Sequence, residues 1–113
     1  MTFLIVEDDS AVADSLEALL RGAGHDTRVF RSGEEFIAAG PPGPADTVVV
    51  DLGLPGISGG EVIGWLHGLS RKPRVIVISG KSSGTIARET GAHPGLAVLR
   101  KPPASDWLEV IAG

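Results

Sequence analysis

The sequence predicts an α/β fold built on a doubly wound, five-stranded parallel sheet in the order 2-1-3-4-5, with helices on both faces. Short apolar, often β-branched runs alternate five times with segments of helical periodicity, which is typical of parallel strands joined by right-handed crossovers. The central run, residues 46–50, contains three consecutive valines and suits a strand covered on both faces. Gly53 and Pro55 stop that strand, so Asp51 lies at its carboxyl end.

Each element has its own local signal. The strands are predicted at residues 2–6, 27–30, 46–50, 74–78 and 95–99. The helices are predicted to open near Ser10, Ser32, Ser58, Ser82 and Ser105, the second and third with a capping box. Asp9 or Ser10 can cap the first helix, and Ser105 or Asp106 the last. The fourth helix, residues 82–90, is rich in poor helix formers, so we expect it to be short or irregular.

Composition narrows the class of protein. The chain has 113 residues, enough for one domain with one core, and its net charge of −4 argues against a nucleic-acid surface. Cysteine is absent, which excludes disulfides and thiolate zinc sites and is compatible with a reducing compartment. The apolar run at residues 3–6 is too short for a signal peptide or a membrane span. His25, His67 and His93 share no ligand spacing, so we interpret them as solvated or turn residues.

Charged and polar residues follow four of the predicted strands. They are Glu7, Asp8 and Asp9 after strand 1, Asp51 after strand 3, Ser79 after strand 4 and Lys101 after strand 5. Because the carboxyl ends of parallel strands share one edge of a sheet, we expect these side chains to meet. Carboxylates at one place repel unless a cation neutralises them, and oxygen ligands favour a hard ion such as Mg²⁺. A nearby lysine and hydroxyl suit a transferred phosphoryl group, with Asp51 as the nucleophile.

These strand ends resemble the receiver domain of bacterial two-component response regulators, over essentially the whole chain. The matching stretches are Val6-Glu7-Asp8-Asp9, the segment 51–59, Ile78-Ser79-Gly80 and Lys101-Pro102. The resemblance implies a flavodoxin-like fold and a cytoplasmic signalling protein. It also implies that residues 1–113 form a single receiver domain, with no output domain in this chain.

The same resemblance implies a metal site. Asp51 would be the phosphoacceptor and a ligand of Mg²⁺ (or Mn²⁺). Asp8 would bind the ion directly, Glu7 would bind it through water, and the backbone carbonyl of Gly53 would be the third protein ligand. Asp9 falls just outside this set.

The resemblance also implies how the phosphoryl group is held and passed on. Ser79 and Lys101 would contact its oxygens, and the Lys101–Pro102 peptide is typically cis in the family. The donor would be a sensor histidine kinase or a histidine phosphotransfer protein. The output would be a change in binding to an unknown downstream protein through the helix 4–strand 5–helix 5 face. The domain would bind neither nucleic acid nor membrane, and it would catalyse only its own phosphorylation and dephosphorylation.

The sequence departs from the family pattern at the switch position. The family usually has Tyr or Phe three residues before the lysine, where this chain has Val98. A valine is short and stiff at χ1, so we expect backbone changes in residues 82–90 to carry the signal, with that segment ordered or repositioned by phosphorylation. The resemblance also implies that Gly53 and Lys81 occupy the two positions at which the family tunes the lifetime of its phosphoryl group. Lys81 could lie over that group or could be a solvated loop lysine.

Three other functions compete with that of a phosphorylated receiver. A receiver-like interaction module that works without phosphorylation is compatible with Val98. A phosphohydrolase with an aspartate nucleophile would want a second acid two residues after Asp51, where this chain has Gly53. A nucleotide-binding protein is the poorest match, because no glycine-rich phosphate motif follows any predicted strand.

Overall fold

The computed structural model describes residues 2–91, 96–101, 104 and 106–112, which fold around a five-stranded sheet. The strands are β1 (Thr2–Val6), β2 (Asp26–Phe30), β3 (Thr47–Asp51), β4 (Arg74–Ser79) and β5 (Ala97–Arg100). The helices are α1 (Ser10–Gly22), α2 (Gly33–Ala38), α3 (Gly59–His67), α4 (Ser83–Thr90) and α5 (Trp107–Ala112). All neighbouring strands are parallel, and their order is β2-β1-β3-β4-β5, which confirms the predicted fold class.

The sheet separates two apolar layers. Val48 and Val50 point to the face that α2, α3 and α4 cover, whereas Val49 points to the face covered by α1 and α5. All three valines are fully buried, as expected for a central parallel strand. Alternate side chains of one short run therefore anchor both layers. None of the described helices has the length and apolar character needed to cross a bilayer.

Side-chain caps fix where the helices begin. Asp9 is the N-cap of α1, and its Oδ1 accepts backbone N–H groups of the first turn at 2.9 and 3.3 Å. The Ser32 and Ser58 hydroxyls accept the N–H three residues later, at 3.0 and 3.2 Å, at the starts of α2 and α3. Gly24 follows α1 with φ of +91°, a conformation that glycine adopts without strain.

Of the last two elements, strand β5 begins later than predicted, and helix α5 begins where one of its two predicted caps places it. Strand β5 covers Ala97–Arg100 rather than residues 95–99, because its partner residues on β4 are Ile76–Ser79 and the register runs on to Arg100. Helix α5 begins at Trp107, directly after Asp106, the second of the two predicted caps. Ser105 and Pro102 lie outside the described residues, so the predicted cap at Ser105 and the predicted cis peptide lie there too.

Helix α4 is short, as predicted, but it is a regular helix. It has eight residues, and its N-cap Ser82 accepts the N–H of Thr85 at 3.3 Å. Only Ile86 is a fully apolar, buried anchor among its described side chains. The cap explains how a segment of low helical propensity holds its conformation.

One histidine is not the solvated residue that the sequence predicted. The ring of His25 meets the buried ring of Phe3 edge-on, with 4.9 Å between the centroids, and is half-buried. Strand alternation cannot reveal this contact, because His25 precedes β2 and reaches a strand that is distant along the chain. His67 closes α3, and His93 lies outside the described residues.

Candidate functional site

Three carboxylates lie together at the carboxyl edge of the sheet. Glu7 follows β1 and Asp51 ends the neighbouring strand β3, and both side chains are buried. Asp8 is exposed beside them. One carboxylate oxygen from each residue lies within 4.8 Å of the other two, so the cluster could hold a metal ion. Asp9 serves a different purpose, because its carboxylate caps α1.

Lys101 connects the two buried acids. Its Nζ is 2.7 Å from Oε1 of Glu7 and 3.3 Å from Oδ2 of Asp51. Burial by itself would lower the pKa of this ammonium group. The hydrogen bond to Glu7 and the charges of both acids outweigh burial and raise the pKa above its ordinary value. Lys101 therefore stays charged across the neutral range and offsets part of the negative charge.

The surroundings of the Glu7 carboxyl group disfavour its charged form. Burial raises its pKa to about 8, assisted by the adjacent Asp51 and opposed by Lys101. Its Oε2 has no hydrogen-bond partner among the residues described. A buried oxygen without a partner is costly, and a hard cation or its bound water would satisfy it. The donor set therefore fits an oxygen-liganded ion such as Mg²⁺.

Ser79 ends β4, next to the strand that carries Asp51, and its side chain is buried. Its Oγ accepts the backbone N–H of Lys81 at 3.0 Å. Its carbonyl oxygen accepts the backbone N–H of Lys101, also at 3.0 Å. The hydroxyl is thus engaged by the loop after β4 in this conformation, while the carbonyl holds Lys101 at the site.

Gly53 lies in the turn that follows the candidate phosphoacceptor. Its N–H donates to Oδ1 of Asp51 at 3.1 Å, which helps to fix the carboxylate. Gly53 is exposed and has no side chain to cover that carboxylate. A cavity of about 450 Å³ opens beside it, and Lys81 and Glu89 are among its lining residues.

Gly59 allows α3 to begin directly against the same turn. A Cβ at this position would lie 2.3 Å from the carbonyl oxygen of Asp51 and 2.7 Å from Cα of Leu52. Both are backbone atoms and cannot swing aside. The sequence placed Gly59 in the family motif, but the reason for a glycine there emerges only from this packing.

Val98 leaves space at the position where the family usually has an aromatic ring. It is half-buried on β5 and packs against the layer that includes Ile86 of α4. A cavity of about 260 Å³ lies here, lined by Ile86, Ala87, Val98 and Arg100. The space that an aromatic switch residue would fill is therefore open in this chain.

One contact beside the site could not be predicted from the sequence. Lys81 Nζ forms an ion pair with Oε1 of Glu89 at 2.7 Å. The sequence had singled out Lys81 but not Glu89. The two residues are eight positions apart in the sequence. They meet because α4 is a continuous helix, which places Glu89 in its last turn on the side of the loop after β4.

Comparisons with known proteins identify a family that covers nearly the whole chain. Residues 3–111 match the response regulator receiver domain family. The cell cycle response regulator CtrA of Brucella ovis is 36% identical over 80 residues, which are 71% of this chain but only 34% of that protein. The alignment thus spans about a third of that relative's length.

Solved structures of receiver domains superpose closely on this fold. A CheY-like receiver domain from Methylobacillus flagellatus is 28% identical, with a TM-score of 0.83, over 99% of this chain and 95% of that one. One from Methanospirillum hungatei JF-1 is 25% identical, with a TM-score of 0.84, over 98% and 90% of the two chains. From the family match over nearly its full length, together with this fold, we conclude that the chain belongs to the response regulator receiver domain family.

Proposed function

We propose that this chain accepts a phosphoryl group on Asp51 from a phosphohistidine donor and acts as the receiver of a cytoplasmic phosphorelay. One observation carries the proposal: the buried Asp51 carboxylate meets two further acids and lies 3.3 Å from Lys101 Nζ. Like charges at this density are unfavourable unless cations offset them. An Asp whose only task was to cap a turn would need neither the acids nor the lysine.

The proposed reaction is a direct phosphoryl transfer. An oxygen of Asp51 attacks phosphorus as the bond from phosphorus to the donor imidazole nitrogen breaks, and the imidazole keeps that electron pair. Lys101 offsets charge on the transferred group, and Ser79 offers it a hydroxyl donor. Transfer needs little more from a protein than positioning and charge compensation.

The metal would be held by Asp8, Asp51 and the carbonyl of Gly53, with Glu7 acting through water. Mg²⁺ (or Mn²⁺), when bound, would supply further charge compensation for the phosphoryl oxygens. The unpartnered Oε2 of Glu7 and the exposed Asp8 support this arrangement, since Oε2 would accept a hydrogen bond from a metal-bound water and Asp8 is open to an incoming ion. Partner binding would then respond to phosphorylation through the surface of α4, β5 and α5.

Asp8→Asn tests whether the acid cluster serves phosphoryl transfer. With acetyl phosphate and Mg²⁺, we expect wild type to gain phosphoprotein and Asp8→Asn to do so at least about tenfold more slowly, since one charged ligand is lost. Raising the Mg²⁺ concentration should recover much of the rate. Without metal, Asp8→Asn should melt at a higher temperature than wild type, because one like charge is removed. Intact-mass spectrometry and thermal unfolding measure both effects.

Asp9→Asn is the matched control for this experiment. Asparagine caps helices as well as aspartate does, so α1 should keep its N-cap. Phosphorylation of Asp9→Asn should match wild type at every Mg²⁺ concentration. Equal rates for Asp8→Asn and wild type at limiting Mg²⁺ would remove Asp8 from the metal site. Wild type that never gains a phosphoryl group would instead favour the interaction module that works without phosphorylation.

A further inference from the structure

The ion pair between Lys81 and Glu89 joins the loop after β4 to the last turn of α4. The Nζ–Oε1 distance is 2.7 Å, yet both side chains are more than a third exposed, at 39% and 34%. Solvent and salt weaken a pair this exposed, so a stronger anionic partner can displace it. Its partners can therefore exchange without disturbing the core.

Lys81 is also connected to the candidate phosphorylation site. Its backbone N–H donates to Oγ of Ser79 at 3.0 Å. Its side chain lines the cavity that also reaches Gly53, whose own N–H contacts the Asp51 carboxylate. Among the described residues that line this cavity, Lys81 supplies the positive charge and Glu89 the negative one.

A phosphoryl group on Asp51 would change the balance between these contacts. The acyl phosphate would carry nearly two negative charges where the carboxylate carries one, and it would place three strong acceptor oxygens beside that cavity. Lys101, which already contacts Glu7 and Asp51, would offset part of this charge, and Lys81 is the further cation among the described residues that line the cavity. Charge-assisted bonds to phosphoryl oxygens are stronger than an exposed pair with a carboxylate.

We propose that Lys81 exchanges partners, leaving Glu89 for the phosphoryl group on Asp51, and that this exchange couples phosphorylation to the C-terminal end of α4. The inference rests on the proposed function. In the unphosphorylated state the ion pair holds α4 against the loop that engages Ser79. After the exchange Glu89 has lost its partner, and Lys81 covers the phosphoryl group from the side of the cavity that it lines.

The exchange would provide a side chain that changes position on phosphorylation, which Val98 cannot do. A small β-branched side chain has no ring to move between two positions. A lysine has four rotatable bonds and can follow the charge. Lys81 is a positioning residue in this scheme, since it holds the phosphoryl group and shields it while Asp51 carries the chemistry.

Three variants separate the exchange from a purely structural ion pair. Glu89→Gln frees Lys81, Lys81→Ala removes it, and the double charge swap Lys81→Glu with Glu89→Lys keeps an ion pair but places an anion in the loop. Both residues have partly exposed side chains. Unfolding midpoints close to that of wild type will show that each variant keeps the fold. The readouts are the decay of phospho-Asp51 after removal of acetyl phosphate and hydrogen exchange of residues 83–90.

We expect opposite shifts from the two single variants. The phospho-Asp51 lifetime should lengthen about two- to fivefold in Glu89→Gln and shorten by a similar factor in Lys81→Ala, the range that loss of an exposed ion pair implies. Unphosphorylated Glu89→Gln should already show the hydrogen exchange of phosphorylated wild type. The charge swap should keep wild-type exchange without phosphate, yet lose the phosphoryl group at least as fast as Lys81→Ala.

The results that overturn the inference differ from those that overturn the proposed function. A charge swap with the lifetime of wild type would show that only the ion pair matters. A Glu89→Gln lifetime equal to wild type would show that Glu89 does not compete for Lys81. In both cases wild type is still phosphorylated, so the proposed function stands. Wild type that gains no phosphoryl group would remove the proposed function and the exchange with it.

Discussion

Gly59→Ala is expected to destabilise the fold by about 2–3 kcal/mol, the cost of forcing extra volume against backbone that cannot yield. The added Cβ would lie 2.3 Å from the carbonyl oxygen of Asp51 and 2.7 Å from Cα of Leu52. Either the start of α3 or the turn after β3 must shift. Urea unfolding measures the loss, and phosphorylation should slow as well, because this turn positions Asp51.

Gly64→Ala is the matched control in the same helix. Gly64 lies inside α3 and is exposed, and apart from its chain neighbours and the backbone of its own helix no atom lies within 4 Å of where its Cβ would be. Alanine costs less conformational entropy there, so this variant should stabilise the fold by about 0.5–1 kcal/mol. The two substitutions are identical in chemistry and opposite in sign. Similar shifts at both positions would contradict the close approach of α3 to the Asp51 turn.

The metal-free protein is expected to lose stability as pH rises from about 4.5 to about 8. Unfolded Glu7 releases its proton near its ordinary pKa of 4.5, whereas burial keeps it protonated in the folded protein up to about 8. Between these values the folded state binds the extra proton, so the free energy of unfolding falls with pH. The loss should be on the order of 3 kcal/mol, measured by urea unfolding at a series of pH values.

Two comparisons assign this slope to Glu7. Glu7→Gln cannot release the proton, so its stability should change much less over the same range. Saturating Mg²⁺ should flatten the wild-type slope, because a bound cation favours the charged carboxylate. The Lys101 contribution is lost only above its raised pKa, which lies above 10.5 and outside this window. A Glu7→Gln protein with the wild-type slope would show that another group is responsible.

The alternation of strands and helices made the sheet order predictable from the sequence. Three adjacent valines require burial on both faces, and only a central strand offers that. The strand ends then placed Asp51, Lys101 and the acids after β1 at one edge, without any knowledge of side-chain positions. Caps at Asp9, Ser32 and Ser58 were readable because a cap and its amide are only two or three residues apart.

Contacts that depend on close packing were not predictable in this way. The need for glycine at position 59 arises from a backbone approach between α3 and the turn after β3, which no spacing rule encodes. The pairing of Lys81 with Glu89 depends on how far α4 turns before it ends. The start of β5 was misplaced because an edge strand of four residues has its register set by its single neighbour.

The central claim is that Asp51 carries the phosphoryl group, and peptide mass mapping after incubation with acetyl phosphate and Mg²⁺ tests it most directly. We expect a gain of about 80 Da on the peptide that contains Asp51, the mass of one added phosphoryl group on an aspartyl nucleophile. The gain should be absent in Asp51→Asn and in wild type treated with a chelator. A phosphoryl group on another residue, or an equal gain in Asp51→Asn, would contradict the account.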